Sequence, residues 1–175
     1  MRNILVVMVF VLIAMTGCKQ REESKLPAGY PGATTVTPED LRMFEQTAKQ
    51  SPKNANAWIT YGNALMDTGR YNEAVEAYGK ALALDPKNVD VRVDMGTCLK
   101  NSGRPQQAVE EYKKAIKQNP NHAYAHRNMG VVLSFDIHDK QGGIREFEKY
   151  LELSPNAADA AEIRQRIQEL KSGQR

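Results

Sequence analysis

Cysteine is scarce in this 175-residue sequence, and so is concentrated charge of either sign. The two cysteines, Cys18 and Cys98, are too few for the disulfide framework that staples small secreted domains. A net charge of +3, with no block of five or six like charges, gives no basis for a nucleic-acid partner. Chemical motifs are missing too: there is no phosphate-cradling glycine loop, metalloprotease helix motif or EF-hand pattern. Carboxylates are spread along the chain with no isolated pair set up for acid–base work. Asp94 with Arg127 is the one titratable pair to nominate, and an ordinary ion pair accounts for it. His122 and His126 stand four apart, a spacing that suits a metal but also suits packing. His138 between Asp136 and Asp139 reads as a polar turn. These absences argue against an enzyme, a cofactor and a metal site.

What is present is a repeat. Trp58, Gly62, Leu65, Ala74, Tyr78, Ala81 and Pro86 recur 34 residues on as Arg92, Gly96, Leu99, Ala108, Tyr112, Ala115 and Pro120. A third pass gives His126, Gly130 and Leu133, then slips by one residue to Gly143, Phe147, Tyr150 and Pro155. Self-similarity at this period is the signature of stacked supersecondary units. Gly69 and Gly103 sit where first helices would stop. Pro105 suits a helix start, and Asp85-Pro86, Asn119-Pro120 and Ser154-Pro155 separate the units. Second helices carry buried stripes such as Ala74, Tyr78 and Ala81. Gly79 breaks that stripe without an evident reason.

The spacing Trp58-x-x-Tyr61-Gly62-x-x-Leu65, followed by Ala74, Tyr78 and Pro86, resembles the tetratricopeptide repeat, a helix–turn–helix of 34 residues. The resemblance implies an all-α solenoid, with repeats over 55–88, 89–122 and 123–156. An N-terminal half-repeat from Glu39 to Gln50 would cover one edge, opened by Thr37, Pro38 and Asp40 as a capping box. A helix from Ala157 to Leu170, with Ala160, Ile163, Ile167 and Leu170 on one face, would cover the other edge. The segment from Phe135 to Gly143 lengthens the third repeat's turn by one residue. It reads either as an insertion at a tolerant tip, with Tyr150 filling space against the last helix, or as a partner-contacting loop. Cys98, beside Gly96 in a first helix, reads as an inert buried thiol.

Upstream, Arg2 and the unbroken apolar run of twelve residues from Ile4 to Met15 fit a signal peptide over 1–17, the run being too short to span a membrane at about 20 residues. Met15-Thr16-Gly17-Cys18 is similar to the bacterial lipobox, which implies cleavage before Cys18 and lipidation of its thiol. Several acyl chains, each contributing about 0.8 kcal/mol per buried methylene, would anchor stably. Lys19 follows instead of an inner-membrane-retaining Asp, so the resemblance implies the periplasmic side of the outer membrane if the cell has one. Residues 18–37, rich in Pro27, Gly29, Pro31 and Gly32, read as a tether with an average reach of roughly 25 Å.

The tetratricopeptide resemblance further implies a groove lined by first helices, which holds a peptide or a partner helix. The matching positions are Asn56, Ile59, Asn63 and Met66 in the first repeat. The second supplies Asp90, Val93, Asp94 and Thr97, and the third Tyr124, Arg127, Asn128, Val131 and Phe135. Amides such as Asn63 and Asn128 are suited to an extended backbone. The chaperone-binding carboxylate clamp is not reproduced: only Asn63 matches it, with Ile59, Asp94, Tyr124 and Asn128 at its other places. The expectation is a membrane-anchored interaction scaffold that binds another envelope protein. The alternatives are a cytochrome c maturation chaperone and an accessory subunit of an envelope enzyme.

Overall fold

The computed structural model describes residues 36–173, so the leader, Cys18 and most of the tether lie outside the described residues. Among the described residues the regular structure is helical: α1 Pro38–Gln50, α2 Ala55–Asp67, α3 Tyr71–Leu84, α4 Val89–Asn101, α5 Pro105–Gln118, α6 Ala123–Val131, α7 Lys140–Leu153 and α8 Ala160–Ser172. The fold is an all-α solenoid of helix pairs: α2 with α3, α4 with α5, and α6 with α7, with α1 at one edge and α8 at the other.

Local chemistry sets these boundaries. The Thr37 side chain accepts from the Asp40 N–H while the Asp40 carboxylate accepts from the Thr37 N–H, which closes the capping box at 3.1 and 2.9 Å. First helices begin at a repeating cap, Asn54, Asn88 and His122, each accepting from a backbone N–H three residues on. They stop alike: Gly69 and Gly103 are left-handed at φ +74° and +79°, and Arg70 and Arg104 return their N–H groups to Leu65 and Leu99. Pro105 does open α5.

The close approach within each pair depends on the glycine of the first helix. A Cβ at Gly62, Gly96 or Gly130 would stand 2.6 to 2.7 Å from the ring of Tyr78, Tyr112 or Phe147. Those rings are fully buried, with Leu65, Ala74, Ala81, Ala108 and Ala115 around them. Gly79 has open space around its Cβ position, and nothing in the structure explains it.

Two boundaries differ from the sequence reading. The last helix begins at Ala160 instead of Ala157, because the chain first turns at Ala157 onto the Ser154 carbonyl. Asp159 then directs its carboxylate to Tyr150 and Arg127 instead of to a helix end. The extra residue of the third repeat does not simply lengthen a turn. It is taken up inside the helix as a π-turn over Val132–Asp136, where the Ile137 N–H reaches back to Val132 at 3.0 Å. Tyr150 is buried and donates to Asp159, so it does pack against the start of the terminal cover.

Candidate functional site

The first helices α2, α4 and α6, with the π-turn that follows α6 and holds Phe135, carry the positions that the resemblance assigned to a groove. Polar side chains there are held by tyrosines of the second helices. The Tyr78 hydroxyl donates to Asn63 Oδ1 at 2.8 Å, and Tyr112 shares a hydrogen bond with Thr97 Oγ1 at 3.2 Å. Asn128 extends the row by donating from Nδ2 to Thr97 at 3.3 Å. The amides are therefore partly engaged. Among the described residues Asn63 has its carbonyl occupied and its amine free, while Asn128 donates through its amine and accepts from Arg127 at 3.5 Å through its carbonyl. Phe147, in the tyrosine's place in the third repeat, has no hydroxyl to add.

The other positions divide by exposure. Tyr124 is 63% exposed and Phe135 44%, and Asn56 and Asp90 also face solvent. Ile59 and Met66 are half-buried against the first repeat's core, and Val131 against the cluster joining α7 and α8. Val93 is only 5% exposed and belongs to the core, so it is not a surface residue.

Charge on this face is arranged differently from the nominated pair. Arg127 binds Asp159 of the turn before α8, and Asp94 makes no ion pair among the described residues. Burial, together with Asp90 and Asp67, pushes the Asp94 carboxyl up to about 6, with His122 opposing. The two histidines also part. His122 caps α6 through Nδ1 and meets Asp90 through Nε2 at 2.8 Å. His126 is buried between the Glu146 carboxylate and the Pro120 carbonyl. Among the described residues, no group of three or more His, Cys, Asp or Glu is placed to hold a metal. Cys98 is fully buried, and burial raises its thiol to about 12, which leaves it unreactive.

Sequence reasoning missed one feature that fixes the repeats behind this face. Trp58 donates to the Pro52 carbonyl at 3.0 Å, and Arg92 and His126 reach the carbonyls of Pro86 and Pro120 in the same way. Where Trp gives way to a basic residue, the partner position changes with it, from Ala77 to Glu111 and Glu146. That paired exchange is visible in the register of the repeats.

The family model for the cytochrome c-type biogenesis protein H TPR domain matches residues 31–161. Among solved structures, MamA superimposes with a TM-score of 0.71 at 23% identity, covering 77% of this chain and 76% of MamA. YrrB, described as a TPR protein with an unusual peptide-binding site, gives 0.67 at 22% identity, over 73% of this chain and 65% of its own. The first TPR of RPAP3 bound to an HSP90 peptide gives 0.62 at 24% identity, over 67% and 93%. These likenesses establish the fold. No curated protein matches the chain in sequence.

Proposed function

Because this chain belongs to the family of the cytochrome c-type biogenesis protein H TPR domain, we propose that it is a non-catalytic scaffold holding a segment of another protein against its first-helix face. The observation that carries this reading is the row Asn63, Thr97 and Asn128, one polar side chain per repeat, braced from behind by Tyr78 and Tyr112. A free amide donor on Asn63 and the exposed Tyr124 ring suit the alternating polar and apolar demands of an extended chain. A photoreactive residue at Tyr124 should crosslink one dominant partner in cells, and Asn63→Ala should weaken its capture. Labelling indistinguishable from that of a probe on the outer side of α3 would overturn the reading.

The family match favours one client class within it, an apocytochrome segment awaiting haem. A synthetic peptide carrying Cys-Xaa-Xaa-Cys-His should bind the full chain, and Asn63→Ala with Tyr124→Ala should weaken it. Equal binding by both forms would leave the general scaffold standing and remove this client. The chain works, in this reading, from the cell envelope through a lipid on Cys18. Cys18→Ser should abolish acyl labelling and release the protein from membranes, and retention of both would sink the anchor.

A further inference from the structure

A histidine ring whose two nitrogens both face acceptors can satisfy them in only one protonation state. His126 is 6% exposed, with Nδ1 2.6 Å from the Glu146 carboxylate and Nε2 3.0 Å from the Pro120 carbonyl. A neutral imidazole has one N–H and one lone pair, so one nitrogen would meet an acceptor with nothing to donate. The doubly protonated ring donates to both.

The register of the repeats points the same way on separate grounds. At this position Trp58 is neutral, and the matching place on the second helix is Ala77. Arg92 is permanently charged and meets Glu111 at 2.8 Å. His126 meets Glu146, so it comes with the acidic partner that the cation has and not with the apolar residue that accompanies the neutral ring.

We infer that His126 is an imidazolium in the folded chain, and that its charge makes the joint between α6 and α7 a pH-operated lock on the third repeat. On α7 the group that touches the ring is Glu146. Lys149 stands where Lys80 covers Trp58 and Lys114 reaches Glu111, but its ammonium goes to Glu152 at 2.8 Å. On α6, His122 is bonded to Asp90 and Arg127 to Asp159. The turn before α6 contributes the Pro120 carbonyl. Among the described residues, no other charged side chain makes a hydrogen bond or ion pair with the ring. The lock is complete where Glu146 is ionised and the ring charged, in mildly acid solution between the ordinary values of about 4.3 for glutamate and 6.5 for histidine. Once rising pH takes a proton from the ring, it must give up either Glu146 or the Pro120 carbonyl, and the third repeat slackens. Tyr124 and Asn128 ride on the same helix, so that end of the first-helix face slackens with it.

Nitrogen-detected spectra of the labelled full chain read the ring directly. At pH 6 His126 should show two slowly exchanging ring N–H signals, identified among the three histidines by their loss in His126→Arg. Glu146→Gln keeps the shape and should let the ring lose its proton at a lower pH. Amide exchange reads the joint. Corrected for intrinsic rates, protection of α6 and α7 should fall about tenfold relative to α2 and α3 between pH 6 and pH 8, as one buried acceptor loses its donor. Asp94 titrates with the same sign, so the fall should persist in Asp94→Asn. His126→Arg copies the second repeat, and His126→Trp with Glu146→Ala copies the first; either should protect α6 and α7 equally at both pH values. A single ring N–H at pH 6, a midpoint unmoved by Glu146→Gln, or third-repeat protection that follows α2 and α3 throughout overturns the inference. None of these outcomes bears on crosslinking at Tyr124, which tests the scaffold reading by itself.

Discussion

One position of the repeat holds Trp58, Arg92 and His126, three side chains with little in common except an N–H at the right reach. Each meets the carbonyl of the proline six residues before it, at 3.0, 2.9 and 3.0 Å, so the turn between repeats is pinned whatever the ring or head group. The second repeat adds a buried ion pair at 2.8 Å, with Glu111 only 7% exposed, yet leaves Arg92 Nε without a partner among the described residues. Buried pairs of this kind are often matched or bettered by well-packed apolar groups, whereas breaking one costs about 3–5 kcal/mol. Arg92→Ala should therefore cost stability in urea denaturation, by less than the full amount because Lys114 still reaches Glu111. The double change Arg92→Trp with Glu111→Ala copies the first repeat and should restore wild-type stability or exceed it. A double variant as unstable as the single would show that the exchange is not a unit. Asp94 gives a second prediction at this scale. Its folded-state value, about 6, lies above the ordinary 3.8, so ionising it opposes folding. The stability linked to the protonated form is complete below pH 4 and is lost as pH rises through about 6. Asp94→Asn should melt above the wild type at pH 7, and the gap should close towards pH 4.

Helix pairs repeat because small residues let them approach, and that requirement was legible in the sequence at Gly62, Gly96 and Gly130. Gly96→Ala would drive a methyl into the fully buried Tyr112 ring, a contact of 2.6 Å that the core cannot absorb freely. Overpacking of this kind costs about 1–3 kcal/mol, and thermal denaturation should show it. Gly79→Ala, with open space around the site, should instead stabilise α3 by about 1 kcal/mol. An equal response at the two glycines would refute the close-approach account. The caps and stops were legible as well: Thr37 with Asp40, Gly69, Gly103 and Pro105 act through backbone geometry that each residue type dictates. The π-turn was not. Sequence shows that a residue has been inserted, but an insertion is absorbed wherever the local hydrogen bonds yield most easily. Here Asp139 reaches back to Leu133, six residues, where Arg70 and Arg104 reach five. The same limit hid the polar row. Side-chain types place Asn63 and Asn128 on a face, but not which half of each amide a neighbour has already taken. Val93 looked like a surface position for the related reason that a helix face grades into the core without a mark in the sequence.

A stack of helix pairs has two ends, and its stability depends on how each is closed. The two covers are unequal. The N-terminal helix α1 fully buries only Ala48, with Leu41 and Phe44 partly covered. The C-terminal helix α8 buries Ala160, Ile163 and Ile167 and adds Leu170 against Phe147 and Tyr150. It is also tied across the repeat boundary, by Arg127 and Tyr150 to Asp159 and by Lys171 to Glu148 at 2.8 Å. Burying two isoleucines and part of a leucine contributes about 5 kcal/mol, a large share of the roughly 5–15 kcal/mol by which a domain is stable. Ending the chain at Leu153 should therefore uncover Ile144, Phe147 and Tyr150 together. The third repeat should then lose its protection against hydrogen exchange while α2 to α5 keep most of theirs, since each pair contacts chiefly its neighbours. Starting the chain at Ser51 should be milder, because α1 contributes one fully buried side chain, Ala48, with Leu41 and Phe44 only partly covered. Urea denaturation of the two truncations separates the cases. If both lose stability equally, or if removing α8 unfolds every pair at once, energy is shared over the whole stack and not passed from neighbour to neighbour.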